Sequence, residues 1–391
     1  MKRHVLIIPS FYHSEDDPML GMFFKEQSES VLDFNLKVGL LYPERRSLKK
    51  LSLKSLRKFH FQSREYNENG LYVYRMHSWN IVPTKFYLGN LLWVKYCLFL
   101  FERYLEKNGK PDLIHAHCSL WSGYVAYLIK QKYQIPYIIT EHSSLLLKGN
   151  YTLIEEEKAK LAFNNAEKVI AVSKNFSKAL NSKIIPNINI ETIPNFIDTD
   201  FFNNEKNKKE KDFIFITACF LKSNKRVDRL IRAFKLKFKG RMNIKLHIIG
   251  EGGEKQNLES LVKELGIDSQ VAFLGMANRL QLKNYLSKAS CFVLPSDMET
   301  FGVVLIEAMS MGLPLIATKC GGPEEIVSER TGLLCERDEY SLANAMEEIH
   351  TNYASFNTKD IRNTCIEHFS NNSVSKKIYN LYNSVAEKSK L

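Results

Sequence analysis

The sequence predicts an α/β protein with two domains, each built on a parallel sheet. Three observations carry this prediction. Short apolar runs, each closed by a turn signal and followed by helix-like spacing, recur along the chain, as strands buried in parallel sheets do. A length of 391 residues suits two cores better than one. The polar, charged run from Asn203 to Asp212 interrupts the pattern, which then starts again at Phe213. The boundary is therefore expected near residue 200, with domains at 1–200 and 201–372.

Composition sets broad limits. With 45% hydrophobic and 25% charged residues, the chain is an ordinary globular protein. A net charge of +12 favours anionic partners, whether sugar nucleotides, phospholipid surfaces or nucleic acid. No RNA- or DNA-binding motif accompanies it. The seven cysteines form no C-x-x-C pair and no zinc spacing, which fits a reducing cytosol. The first apolar run is too short for a signal peptide and meets Pro9 at once.

In chain order, Val5–Ile8 reads as a buried strand, followed by a loop to Gly21 and a helix from about Met22. Leu36–Tyr42 is the second strand. Arg45–Phe59 is basic. Drawn as a helix, it puts Leu48, Leu51, Leu56 and Phe59 on one face and Lys50, Lys54, Arg57 and Lys58 on the other. Such a helix lies on an anionic membrane or packs as a solvated surface helix, and both readings stay open. Leu71–Arg75 is a strand. Residues 86–101 are apolar almost all round, interrupted by Asn90 and Lys95, and short for a membrane span; a buried helix is expected.

Asp112–His117 is a strand that ends with His115 and His117 on one face. Strand ends of open parallel sheets face a ligand crevice. A His-x-His pair can hold a metal, but no third ligand is evident nearby; a binding role or simple packing is expected. Strands at Pro136–Thr140, Lys168–Ser173 and Glu191–Asp198 complete the first half. In the second half, strands are expected at Phe213–Ala218, Ile244–Ile249, Val271–Gly275, Cys291–Leu294 and Leu315–Ala317. A glycine-rich turn spans Gly250–Gly253. Helices are expected at Phe301–Met311, from Gly321, and at Ser373–Ala386.

The chemistry concentrates in residues 295–327. Phe301, Gly302 and Val303 fall at a helix N-terminus, where free N–H groups and the helix dipole favour an anion. Gly302 allows close approach to the backbone. Glu299 precedes that helix and Glu307 lies on it. A carboxylate on an otherwise apolar helix needs a partner: sugar hydroxyls, a salt bridge or solvent.

This stretch resembles the donor-site motif of the family 4 glycosyltransferases, a retaining group with the GT-B fold. The match comprises Glu299, seven intervening residues and Glu307, then Phe301-Gly302, Glu307-Ala308-Met309, Gly312 with Pro314, and Gly321-Gly322-Pro323. The resemblance implies two Rossmann-like domains facing a cleft, with the donor bound mainly to the second and the acceptor mainly to the first. It implies that the C-terminal helix, about 373–391, crosses back to the first domain.

It also implies roles. Lys225 matches the lysine of the family's phosphate clamp, whereas Phe220 stands where the clamp has arginine and Arg226 where it has glycine. Lys222 or Arg226 would then supply the second charge. His142 matches the histidine of the Thr-x-His motif near the donor sugar, and Gly275 and Met276 border the base. Gly21 is what remains of a glycine-rich loop facing the donor phosphates. Glu307 would hold the ribose, and Glu299 the donor sugar. His115 and His117 would lie on the acceptor side. No cofactor and no metal are expected, the nucleotide sugar (UDP- or GDP-linked) being a substrate. The acceptor would be a glycan or lipid-linked molecule in cell-surface polysaccharide or lipopolysaccharide assembly, at the cytoplasmic face of a membrane. A sugar-nucleotide 2-epimerase of the same fold and a basic nucleic-acid-binding protein are the alternatives.

Overall fold

The structure, a computed structural model, describes residues 2–15, 17, 20–81, 87–143, 145–204 and 211–388. The chain forms two compact units. The first comprises residues up to Val172, Ser177–Ile193 and the chain from Ser375; the second comprises Ser173–Phe176 and Pro194–Val374.

The first unit holds eight strands: β1 (His4–Ile8), β2 (Lys37–Arg46), β3 (Ser63–Glu68), β4 (Leu71–Trp79), β5 (Leu113–His117), β6 (Tyr137–Glu141), β7 (Lys168–Ala171) and β8 (Ile190–Thr192). Their order is β3-β4-β2-β1-β5-β6-β7-β8. All neighbours are parallel except the hairpin of β3 with β4. The second unit holds β9 (Phe213–Ala218), β10 (Ile244–Ile249), β11 (Val271–Gly275), β12 (Cys291–Leu294), β13 (Leu315–Thr318) and β14 (Gly332–Cys335). Their order, β11-β10-β9-β12-β13-β14, is all parallel. It is the doubly wound order in which the chain starts centrally, builds one way, then returns to build the other. The reversal falls between β1 and β5 in the first unit and between β9 and β12 in the second.

Helices cover the sheets by burying one stripe each. In the helix Tyr87–Asn108, Asn90, Trp93, Val94, Cys97, Leu100, Phe101 and Tyr104 are buried, while Leu88 and Phe99 face outward. That three-to-four spacing is one helical face. Tyr104 reaches over β2 because Gly39 has no side chain; a Cβ there would lie 2.1 Å from the Tyr104 hydroxyl. Among the described residues no helix is long and apolar enough to cross a membrane. Phe86, where the sequence reading began this helix, lies outside the described residues, as do residues 205–210 of the polar run.

Three expectations need correction. The basic segment 45–59 is not one helix. Arg45 and Arg46 continue β2, a short 3₁₀ turn follows at Leu48–Lys50, and the helix proper is only Leu53–Phe59. The strand persists because Glu44 pairs with buried Arg75 of β4 and with Arg46 on its own strand, so these charges do not force the chain into solvent. The unit boundary lies at Ile193 rather than near residue 200. Ile197 already bonds to the Phe369 carbonyl of the second unit (2.9 Å), so the chain has entered that unit before the polar run begins. Gly321–Glu324 opens only a 3₁₀ turn, Gly322–Glu325, instead of a helix.

The C-terminal helix, Asn371–Lys388, belongs to the first unit from Ser375 on. Ile378, Leu381, Tyr382, Val385 and Ala386 are buried there. Tyr379 stacks on Phe34 with ring centroids 4.7 Å apart, and the Ser375 hydroxyl bonds Ser30 at 2.6 Å.

Candidate functional site

In the second unit the loops after β9 and β12 leave neighbouring strands at the point where strand order reverses. Lys225 closes a 3₁₀ turn after β9, and Glu299 lies in the loop after β12. Lys225 Nζ donates to Glu299 Oε1 at 2.5 Å, and the Ser296 hydroxyl donates to the same oxygen at 2.8 Å. Asp297 N–H bonds the Asn224 carbonyl at 3.0 Å, which ties the two loops together.

The glycines at 321 and 322 set the position of this loop. Glu299 N–H bonds Cys320 O (3.1 Å), and Gly322 N–H bonds Glu299 O (3.0 Å). A Cβ on Gly322 would lie 2.3 Å from Phe301 Cα, so backbone packs directly on backbone. Gly302 caps the helix Val303–Ser310 at φ 101°, a conformation that favours glycine. Phe301 is buried beneath it, Val303 is half-buried, and Glu307 is half-buried along the same helix. The structure thus brings Lys225, Glu299 and the helix start at Phe301–Val303 to one locus. Ser173 and Asn175 were not foreseen: the Ser173 hydroxyl bonds Thr300 O (2.7 Å), and the Asn175 amide bonds Gly321 O (2.9 Å). Their segment follows an apolar run and carries no motif, so only the long-range contact reveals them.

The clamp region departs as the sequence indicated. Phe220 is 61% exposed. Arg226 adopts φ 50° and turns its guanidinium to both oxygens of Asp228 (3.0 Å each) and to Asp297 (3.4 Å). Lys222 is exposed and, among the described residues, forms no ion pair. The Gly250–Gly253 turn serves packing: a Cβ at Gly250 would lie 1.9 Å from the Cys219 carbonyl, and one at Gly252 2.3 Å from that of Leu221. Gly275 ends β11 at φ 71° and accepts a bond from Gly250 N–H (2.8 Å); Met276 beyond it is 59% exposed.

In the first unit, His117 and His142 meet at the ends of β5 and β6, Nδ1 to Nε2 at 3.2 Å. Phe24, from the helix that Gly21 opens, packs 5.0 Å and 5.3 Å from the two rings. His142 is half-buried. Gly21 sits at φ 71° with its α-carbon against the Phe11 carbonyl, where a Cβ would come within 2.6 Å. An acceptor-side contact by His115 does not survive the structure. It is fully buried, and its two nitrogens meet the Tyr382 hydroxyl (2.7 Å) and the Thr140 hydroxyl (2.8 Å), so it anchors the C-terminal helix. His117 is also fully buried. Burial, with the neighbouring histidine His142, lowers the His115 pKa to about 3, and burial holds His117 well below its usual range. Both imidazoles are uncharged at neutral pH.

What lies open beside them is a cavity of about 740 Å³ lined by Tyr42, Arg45, Trp93, Trp121, Glu141 and Tyr151, among others. Glu141 is buried, and burial raises its pKa although Ser119 and Ser143 N–H groups bond the carboxylate at 2.8 and 3.0 Å. Among the described residues no group of three or more His, Cys, Asp or Glu side chains is placed to hold a metal ion.

Comparison with known proteins agrees with this geometry. Residues 197–367 match the family described as glycosyl transferases group 1, and residues 56–201 match glycosyltransferase family 4. The chain is 30% identical over 236 residues to N-acetyl-alpha-D-glucosaminyl L-malate synthase of Bacillus anthracis, covering 58% of this chain and 61% of that protein. It is 26% identical over 372 residues to the putative teichuronic acid biosynthesis glycosyltransferase TuaC of Bacillus subtilis, covering 89% and 88%. The match to the first of these relatives thus spans about three-fifths of its length. The crystal structure of HepE from Anabaena, in complex with UDP, superposes with a TM-score of 0.73 at 19% identity, covering 98% of this chain and 100% of that one. Two family matches that together span residues 56–367, joined to two doubly wound sheets, show that the chain belongs to the group 1 glycosyl transferases of glycosyltransferase family 4 and has the GT-B fold.

Proposed function

We propose that this protein transfers a sugar from a nucleoside diphosphate sugar to a glycan or lipid-linked acceptor, with retention of the donor's anomeric configuration. The observation that carries the reading is the Lys225–Glu299 pair beside the helix N-terminus at Gly302, at the strand-order reversal of the second unit. When the sugar–phosphate bond breaks, charge builds on the leaving diphosphate. Lys225 and the N–H groups at Gly302–Val303 are preorganised to stabilise it. Glu299 accepts hydrogen bonds from the donor sugar, and Glu307 from the ribose. Arg226 is committed to Asp228 and Asp297, so Lys222 is the better candidate for the clamp's second charge. It acts as a point charge, without arginine's fork. The 740 Å³ cavity, with aromatic walls and a few polar groups, has the size and lining of a site for a sugar-sized acceptor group.

Thermal-shift screening of UDP-, GDP- and ADP-sugars identifies the donor, since a ligand that favours the native state raises the unfolding temperature. Proton NMR of the first-formed product then reads its anomeric configuration, and inversion would refute the retaining mechanism. Transfer to no acceptor, with epimerised donor as product, would favour the epimerase.

A second reading concerns membrane contact. Leu48, Leu51 and Leu53 are 47%, 50% and 82% exposed next to Lys49, Lys50 and Lys54. Exposed leucines flanked by cations suit an anionic lipid surface, each basic residue contributing about 1 kcal/mol. Sedimentation with phosphatidylserine vesicles tests this: no binding by the parent, or equal binding after Lys49, Lys50 and Lys54 become Gln, removes it.

A further inference from the structure

The first unit contains a second cavity, about 660 Å³, on the other side of the end of β2 from the one just described. Tyr42, Pro43 and Arg45 line the first cavity, Glu44 and Arg46 the second. Three adjacent strands each send an arginine to this second cavity: Arg46 from β2, Arg75 from β4 and Arg64 from β3.

The charges do not balance locally. Arg46 and Arg75 share one carboxylate, Glu44, at 2.9 Å and 2.8 Å. Both guanidinium side chains are more than nine-tenths buried. Arg64 stands directly opposite Arg75 in the β3–β4 register, an arrangement of like charges that destabilises a sheet unless an anion lies between them. Its guanidinium bonds the Lys58 carbonyl (2.9 Å) and, among the described residues, forms no ion pair. The other acids at the rim are already committed: Glu15 to Lys58 (2.6 Å), Glu65 to Arg103 (3.1 Å) and Lys107 (2.6 Å), and Glu68 to Lys25 (2.6 Å). Arg64 is thus left without a carboxylate among the described residues. A separate observation points the same way. Arg75 Nε is buried in the wall without a hydrogen-bond partner among the described residues. A buried donor left unsatisfied costs free energy that a bound acceptor recovers.

We infer that this cavity binds an oxyanion, a phosphate or carboxylate group, through Arg64 and Arg75 with Arg46 behind them. Planar guanidiniums recognise such groups by paired hydrogen bonds. The volume leaves room for a sugar-sized body attached to the charge. On the reading that the chain transfers glycosyl groups, the oxyanion is a charged substituent of the acceptor; the binding itself can be read without any transfer.

The test uses the full chain with two probes, inorganic phosphate and D-glucuronate, titrated at constant ionic strength against sodium chloride. Binding is followed by calorimetry and by the unfolding temperature. The parent is expected to bind at least one probe, and Arg64→Gln to weaken that binding tenfold or more. Arg64 is half-buried with one backbone bond, so its replacement leaves the Glu44 pairs intact, whereas removing the Arg75 charge would take away a partner of buried Glu44. Arg75→Lys, which keeps the charge and loses the fork, should weaken the same probe less. Preference for phosphate or for glucuronate distinguishes the two sources of the anion. Failure of both probes to bind the parent, or equal binding by Arg64→Gln, overturns the inference. UDP and GDP titrations of the same samples report separately on the donor site, so failure there leaves the anion result standing.

Discussion

Replacing Glu299 by Gln separates the two halves of the Lys225–Glu299 pair. Without donor, Glu299 occupies the ammonium that a diphosphate would use, at 2.5 Å. The side chains are 23% and 13% exposed, so the pair is partly solvated and contributes about 0.2–1 kcal/mol. Glutamine keeps an oxygen for the Ser296 hydroxyl but surrenders this competition. Affinity for free nucleoside diphosphate should therefore rise by roughly 1.4- to 5-fold, the same energy expressed as a ratio. Transfer should fall. Hydrogen bonds to a charged acceptor contribute about 1.5–3 kcal/mol and neutral ones about 0.5–1.5. Each sugar hydroxyl held by Glu299 then accounts for about a tenfold loss of turnover. Lys225→Ala should act differently, weakening diphosphate binding and lowering turnover by roughly 10²-fold or more. Calorimetry with UDP and GDP and turnover with a matched donor and acceptor read both. A tenfold loss of diphosphate affinity in Glu299→Gln, with unchanged unfolding temperature, would refute the assignment, because Glu299 would then touch the nucleotide.

Glu307→Gln should weaken donor binding by about 1–3 kcal/mol with little effect on turnover at saturation, as calorimetry and saturation kinetics will show. Gly322→Ala should displace the Glu299–Phe301 loop and cost about 1–3 kcal/mol of stability, since the new Cβ lies 2.3 Å from Phe301 Cα. Gly253→Ala, which meets nothing within 4 Å, is the control, and equal unfolding temperatures for the two variants would contradict the packing argument. Glu68 gives a pH prediction. Burial works to raise its pKa, but hydrogen bonds from His13 and Lys25 outweigh burial and lower it to about 2. Because the folded-state value is depressed, its stabilisation is complete above about pH 4.5 and is lost as pH falls through 2. The stability gap between the parent and Glu68→Gln, on the order of 1–3 kcal/mol, should be constant above pH 5 and close below it in urea unfolding titrations.

Much of the fold was legible because its strands are continuous apolar runs between breakers. The bounds expected for β9, β11 and β12 are those observed. Two strands were missed, β3 and β14; β3, Ser63–Glu68, is polar but for Tyr66, since it is an edge strand paired only to β4. The error at 45–59 arose where charges are buried. Sequence patterning assigns arginine and glutamate to solvent, but the partner that keeps Glu44 inside, Arg75, lies about thirty residues away on β4, and Glu44 in turn holds Arg46. His115 was misread for a related reason. Its place at a strand end left a binding role and simple packing both open, and nothing local shows that Tyr382 closes over it.

The candidate site divides in the same way. The chain's own order determined which groups carry the chemistry: a lysine after one strand, a glutamate and a Phe-Gly helix start after another, with glycines two turns on. These are properties of residue type and spacing, and spacing is visible in one dimension. Folding alone decided that the two loops leave adjacent strands, that Lys225 rests on Glu299, that Arg226 also reaches Asp297, and that Arg75 of β4 closes on Glu44. Each of those facts is a distance between residues far apart in the chain. Such distances follow from sheet order and side-chain packing, which no local pattern encodes.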